Sequence, residues 1–286
     1  MDARFWLIQA FNGLSYGALL FLVGSGLSLI FGVMRIVNLA HGSYFLLGGY
    51  VALSVIWTTG SWLLALPAAA LAVAVLGLAM ERVFLRPLGF DPLRQVLLTV
   101  GFAFLFQQAA LDIWTGNNFD ISPPPALTRS IVVAGLYLPL YRLFMIAMAL
   151  AIGLALWLTM EKTRLGATIR ATVDDAQMAR GVGIDTSFVS MLIFALGAFL
   201  AALGGVIGGA FLGVYPGLDF EMLPIAFAVV IIGGMGSLGG AAIGALLVGL
   251  ADNFGKALFP EVSYFTLYAP MALILAVKPT GLFGRE

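Results

Sequence analysis

IVNLAHGSYFLLGGYVALSVIWTTGSWLLALPAAALAVAVLGLAM, residues 36–80, runs for 45 positions without an Asp, Glu, Lys or Arg. A second charge-free stretch, Phe11–Met34, precedes it with only Arg35 between them. A hydrocarbon core about 30 Å thick is crossed by roughly 20 apolar helical residues, so these stretches hold membrane spans set back to back. Further uncharged runs recur at Gln95–Leu111, Leu143–Met160, Thr186–Leu218, Met222–Ala251 and Val262–Val277. Between them no linker is long enough to hold a second folded domain, so residues 1–286 are read as one transmembrane domain.

Composition agrees: 62% of residues are hydrophobic and 10% charged, against about 45–50% and 25% in soluble domains. Net charge is zero, and no basic run is long enough to serve as a nucleic-acid footprint. Cysteine is absent, which excludes disulfides and thiolate metal sites. The N-terminus, with Asp2 and Arg4 ahead of a long apolar run, reads as a retained first span rather than a cleaved signal peptide.

Backbone groups in lipid must be satisfied within their own segment, and the period-2 alternation of a barrel is missing. The fold class is therefore an all-α polytopic helix bundle. Spans are placed near 6–33, 40–57, 62–83, 96–114, 141–159, 188–212, 221–238, 241–258 and 264–277, nine in a range of eight to ten. The glycine-rich pair at 221–258 reads as two full spans or as broken, re-entrant helices. Basic residues set orientation, because cytoplasmic loops retain them. One alternating set of ends holds Arg35, Arg82, Arg86, Arg94, Lys162, Arg164, Arg170, Arg180, Lys278 and Arg285. The opposite set holds Arg4, Arg129, Arg142 and Lys256. That places the C-terminus in the cytoplasm and, with nine spans, the N-terminus outside. The loop 115–139, with Pro123, Pro124 and Pro125, is then an outward, stiffly extended excursion.

Glycines at four-residue spacing, such as Gly13 and Gly17 or Gly204 and Gly208, present smooth faces for close helix packing. Doubled glycines, as in Gly233-Gly234, also allow helices to unwind and expose carbonyls to a solute. Gly234, Gly236 and Gly239 fit GxGxxG, but dinucleotide binding needs a preceding strand in an α/β domain. No GxxxxGK[ST] is present, so any ATP is used by a partner and no cofactor is expected in this chain. His41, Asp112 and Asp252 fall near span ends and no span centre carries a carboxylate, which disfavours an ion-coupled carrier. The sole histidine supports no metal site; it is read as a helix-end hydrogen-bonding group or a contact for solute or proton. No catalytic constellation is seen, so an enzyme is not expected.

The segment 161–185 is unusually hydrophilic. Ile169, Val173 and Ala176 recur at helical spacing opposite Arg170, Asp174, Asp175 and Gln177, and Gly181 and Gly183 supply a stop. It reads as short surface helices that serve topology alone or dock a cytoplasmic motor.

Asn12-Gly-Leu-Ser-Tyr-Gly-Ala-Leu, Gly26-Leu-Ser-Leu-Ile-Phe-Gly and Ile36-Val-Asn-Leu-Ala-His-Gly-Ser followed by Leu47-Gly-Gly-Tyr resemble the N-terminal signature of LivH-type inner-membrane permeases of branched-chain amino acid ABC importers. Arg164-Leu-Gly-Ala-Thr-Ile-Arg-Ala and Ala179-Arg-Gly-Val-Gly-Ile are similar to that family's ATPase-coupling loop, and Ile231-Ile-Gly-Gly-Met-Gly-Ser-Leu-Gly-Gly-Ala to its C-terminal half. The resemblance implies a multi-pass permease of the bacterial inner membrane. Its implied partners are a second related permease, two cytoplasmic ATPases and a periplasmic solute-binding protein. It further implies that Arg164, Gly166, Arg170, Asp174, Asp175, Ala179, Gly181, Gly183 and Ile184 couple to the ATPases. Asn38, His41 and Gly42 would lie at the inner end of the first hairpin, near the pathway, with Gly233, Gly234 and Gly236 as their counterpart in the second half. An inverted repeat is compatible with the first span descending and the sixth ascending. Many relatives carry a basic residue ahead of Ala226-Phe227, where this chain has Ile225. The competing reading is a stand-alone channel or secondary carrier for a small polar solute such as urea or an amide.

Overall fold

The computed structural model describes residues 2–89, 91–133 and 135–284, and of Tyr264 and Leu267 the backbone alone. Arg285, used above for orientation, lies outside them. Eleven α-helices follow one another among the described residues: α1 (Ala3–Met34), α2 (His41–Thr59), α3 (Trp62–Met80), α4 (Pro92–Trp114), α5 (Leu140–Lys162), α6 (Arg164–Asp174), α7 (Ala176–Gly181), α8 (Thr186–Leu212), α9 (Leu218–Gly233), α10 (Leu238–Leu258) and α11 (Ser263–Val277). All nine segments placed as spans contain helix. Six of the helices are long and apolar enough to cross a membrane: α1, α3 with its extension to Leu88, α4, α5, α8 and α10. The other three are not: α9 and α11 have 16 and 15 residues, and α2 opens on a polar first turn.

Burial sorts the helices into an inner and an outer set. In α8, 72% of the apolar window is buried, and in α5 only 17%. Residues 15–30 of α1 are buried without a break, the pattern of a helix apolar all round and enclosed by others. α1 packs against α10, α8, α9 and α5, while α4 and α5 turn Leu97, Phe104, Leu150 and Leu154 outward to lipid.

Close approach of backbones holds the inner set together. A Cβ on Gly17 would lie 2.8 Å from the Ala245 carbonyl oxygen of α10, and one on Gly13 3.0 Å from that of Gly249. Without a hydrophobic driving force between helices in lipid, such contact is what brings them together. The pairings themselves are reciprocal: α1 lies on α10 and α8 on α3, α2 on α8 and α9 on α1, α2 on α3 and α9 on α10, α2 on α4 and α9 on α11. Each pair maps onto the next when α1–α4 is exchanged for α8–α11.

Side-chain caps start the helices where the chain re-enters: Ser61 for α3, Asp91 for α4, Asp185 for α8 and Ser237 for α10. The excursion 115–139 is more structured than an extended proline segment. It contains a short antiparallel ladder of β1 (Ser130–Val133) and β2 (Leu136–Pro139), and Phe119 exchanges backbone hydrogen bonds with Val214 at 2.9 and 2.8 Å.

Candidate functional site

At Arg35 the backbone turns into the left-handed region, φ 54°, and its N–H closes on the Phe31 carbonyl. From there the chain folds back into the bundle, burying Ile36, Asn38 and Ala40. Asn38 organises this return: its Oδ1 accepts from Ala40 N at 3.1 Å, while Leu39 N donates to Thr99 Oγ1 of α4 at 3.2 Å. His41, fully buried, then meets the Val23 carbonyl through Nε2 at 2.9 Å. Val23 lies eleven residues before the end of α1, about 16 Å at 1.5 Å per residue. His41 therefore sits at the depth of the middle of α1, and α2 begins inside the bundle. The expected position at the inner end of the first hairpin is corrected: residues 35–40 are a re-entrant segment.

The second half does the same. After α8, residues 213–217 turn back, with Gly213 and Gly217 at φ 81° and 96°, and α9 opens at Leu218. Its first turn faces the first turn of α2. Ser43 Oγ donates to Asp219 Oδ2 at 3.0 Å, and a Cβ on Gly42 would lie 2.3 Å from the Asp219 carbonyl oxygen. Only glycine fits at 42. Neither helix has a side-chain cap; their first amides turn to backbone carbonyls just before them, His41 N to Asn38 and Phe220 N to Gly217, and the two helix N-termini meet in the interior with their positive dipole ends. Asp219 is 2% exposed, and its Oδ1 has no hydrogen bond of ordinary geometry; nor has His41 Nδ1.

Asp219 adds a buried carboxylate in the first turn of α9, outside the placed span centres. It follows the Pro216-Gly217 turn, between the spans placed at 188–212 and 221–238. Ser43 and Asp219 escaped sequence reasoning because nothing local says that both loops fold inward.

Gly233, Gly234 and Gly236 are not brought to this place. They lie at the other end of α9, fourteen residues or more from Asp219, about 21 Å along the helix. Gly234 and Gly236 take φ 102° and 82° in a tight turn into α10, and Gly236 packs on the backbone of Gly32. The C-terminal segment lies across the turn, with Phe283 N donating to the Gly233 carbonyl at 2.9 Å. The GxGxxG match is thus helix–turn–helix. The counterpart of Asn38, His41 and Gly42 is the segment 213–219.

At that same end of the bundle α6 and α7 form the hydrophilic projection. Arg170 Nη1 donates to the Met160 carbonyl, tying α6 back to α5. Gly166 touches the same turn, where a Cβ would lie 2.1 Å from Met160 O. Asp175 Oδ1 accepts from Gln177 N and Met178 N, both at 2.9 Å, and so caps α7. Ala179 is buried and its carbonyl receives Ile184 N. Gly183 takes φ 89°, and Gly181 and Gly183 border open space. Arg164 and Asp174 are exposed. Between the caps and anchors, Met178 and Val182 stand out, 65% and 72% exposed. This apolar tip was not anticipated.

A family model described as the permease component of branched-chain amino acid transport systems matches residues 9–275. The chain belongs to this permease family. The high-affinity branched-chain amino acid transport system permease protein BraD of Pseudomonas aeruginosa is 28% identical over 98% of this chain and 96% of its own length. The corresponding LivH proteins of Salmonella typhimurium and Escherichia coli K12 are each 31% identical over 98% of this chain and 96% of theirs. No solved structure matches. Family membership makes this permease a transport component and not an enzyme, and its long apolar helices make it a multi-pass membrane protein.

Proposed function

We propose that this permease is the membrane subunit of an ABC importer that carries branched-chain or related apolar amino acids across the bacterial inner membrane. The observation that carries the reading is the meeting of α2 and α9 at mid-depth. Broken spans whose helix N-termini and buried polar groups converge in the membrane interior give a solute hydrogen-bonding partners in lipid. Asn38, His41, Gly42, Ser43 and Asp219 line that point of the pathway, and Gly233, Gly234 and Gly236 form a turn that flexes at its cytoplasmic end. The reciprocal helix pairings support an inverted repeat whose halves rock against each other. Counting α2, α9 and α11 as crossings gives nine, with the N-terminus outside. The gathering of Arg35, Arg82, Arg86, Arg94 and Lys278 at the α6–α7 end supports a cytoplasmic C-terminus.

The projection supports docking of a motor. Met178 and Val182 enter a groove of a cytoplasmic ATPase, Arg164 and Asp174 border the contact, and Gly166, Arg170, Asp175, Ala179, Gly181, Gly183 and Ile184 hold its shape. The assembly comprises a second related permease, two ATPases that consume ATP, and a periplasmic solute-binding protein, all around a lipid-embedded core. The names of the relatives favour this over a stand-alone channel or carrier for urea or an amide.

Reconstitution into proteoliposomes tests it. Labelled leucine, isoleucine or valine should accumulate only when the binding protein, ATP and the ATPases are all present; accumulation with this chain alone overturns the reading.

A further inference from the structure

Beneath the re-entrant segment, toward α6 and α7, the bundle surface is indented by a half-open cavity of about 330 Å³ bordered by Ile36, Glu81, Leu85, Arg86, Thr172 and Arg180. Small-molecule sites span about 300–1,000 Å³, so this one has room for a single small metabolite. Its floor is unusual. Glu81 is 2% exposed, its Oε2 has no hydrogen-bond partner, and the ion pairs among the described residues, Arg94–Asp91 and Lys256–Asp252, do not include it. The charges of Arg86 and Arg82 act on it, but a buried carboxylate oxygen without a hydrogen bond remains costly unless a donor completes it.

The backbone is built to put it there. α3 does not end regularly at Met80 but passes through a π-helical turn, Glu81–Leu85, which buries both Glu81 and Leu85. Such turns break the regular hydrogen-bond ladder of an α-helix and are frequent at functional sites. Arg86 and Arg180 stand exposed at the rim, Arg180 held by a 3.1 Å hydrogen bond from Nε to the Ala176 carbonyl of α7. Ile36 and Leu85, both buried, supply an aliphatic wall. The cavity thus offers an anion at the floor, cations at the mouth and an apolar side.

We propose that this cavity is a cytoplasmic-side site for a free aliphatic α-amino acid, with Glu81 receiving the ammonium group and Arg86 and Arg180 the carboxylate. The proposal rests on the amino-acid importer reading above. Its walls come from α1, the turns after α3, α4, α6, α7 and α8, so an occupant bridges the motor-docking projection to the spans. A ligand that binds only when these walls are together favours that state over the others. Imported product therefore slows further import.

The test uses the assembled importer in phosphatidylcholine nanodiscs, without binding protein, and measures equilibrium binding of labelled leucine. Saturable binding is expected, weakened at least tenfold by Glu81→Gln with an unchanged unfolding temperature. In proteoliposomes, leucine preloaded on the ATPase side should slow uptake by the native importer and leave the Glu81→Gln importer unaffected. Equal affinity in both, equal inhibition of both, or no binding in phosphatidylcholine overturns the site. Should Glu81→Gln fail to assemble, Arg180→Gln, altered at an exposed position, replaces it, and unchanged leucine affinity there overturns the proposal. An importer that transports leucine but binds none here refutes this site alone; one that hydrolyses ATP and transports no amino acid refutes the importer reading as well.

Discussion

Asp219 and Gly42 show how much a single position can conceal. In the sequence, Asp219 is one acid in a short loop; in the fold its backbone presses on Gly42 and its carboxylate accepts a hydrogen bond from Ser43 Oγ at mid-depth. His41 was legible as a helix-end residue but its depth was not, because depth depends on which part of α1 lies beside it. Packing glycines were more readable, since small residues at four-residue spacing carry their meaning locally. They nevertheless differ in consequence. A methyl on Gly17 meets the Ala245 carbonyl oxygen at 2.8 Å, whereas one on Gly101 meets nothing within 4 Å. Gly17→Ala should therefore destabilise by about 1–3 kcal/mol, the usual cost of overpacking. Gly101→Ala should change stability by less than about 1 kcal/mol. Thermal unfolding of the purified chain in detergent checks both, and equal effects would count against the α1–α10 contact.

At the scale of an element, α7 is defined by its ends. The pattern of Ile169, Val173 and Ala176 foretold helices between 161 and 185, and Gly181 with Gly183 foretold the stop. Asp175 was read as a surface charge, yet its Oδ1 caps α7. A cap depends on a turn made by its neighbours, which periodicity does not report. Asn caps as well as Asp, while Ala costs about 1 kcal/mol. Asp175→Asn is expected to preserve ATP-driven uptake; Asp175→Ala should reduce it and speed amide exchange across 176–182. Equal loss in both variants would mean that the charge itself, not the cap, is required. The re-entrant segment 35–40 was missed for a related reason. Beyond Arg35 its uncharged composition matches a span and a buried loop alike, and here Thr99 and the Asn38 side chain satisfy the amides of Leu39 and Ala40.

Across the whole molecule, the exchange of α1–α4 for α8–α11 reproduces the helix pairings although the two halves share little sequence. Rocking of one half on the other needs α1 and the start of α10 to separate. Ser28 Oγ donates to the Ser237 carbonyl across that boundary at 3.3 Å, and the chain contains no cysteine, so Ser28→Cys with Ser237→Cys gives a clean cross-link. Oxidation should arrest uptake and reductant restore it; full transport by the oxidised protein would place the moving boundary elsewhere. The sequence by itself determined residence in a membrane, the all-helical class, the family and the site of the hydrophilic projection. All four follow from local facts: runs without charge, helical satisfaction of the backbone, motif order and charge density. Only the tertiary structure decided that two loops turn inward, that Ser43 joins Asp219, that Glu81 is buried over a cavity and that Gly233 to Gly236 lie a helix length from His41. Whether an uncharged segment leaves the membrane or folds back depends on what other helices offer its amides and carbonyls, and that is a property of the assembled bundle.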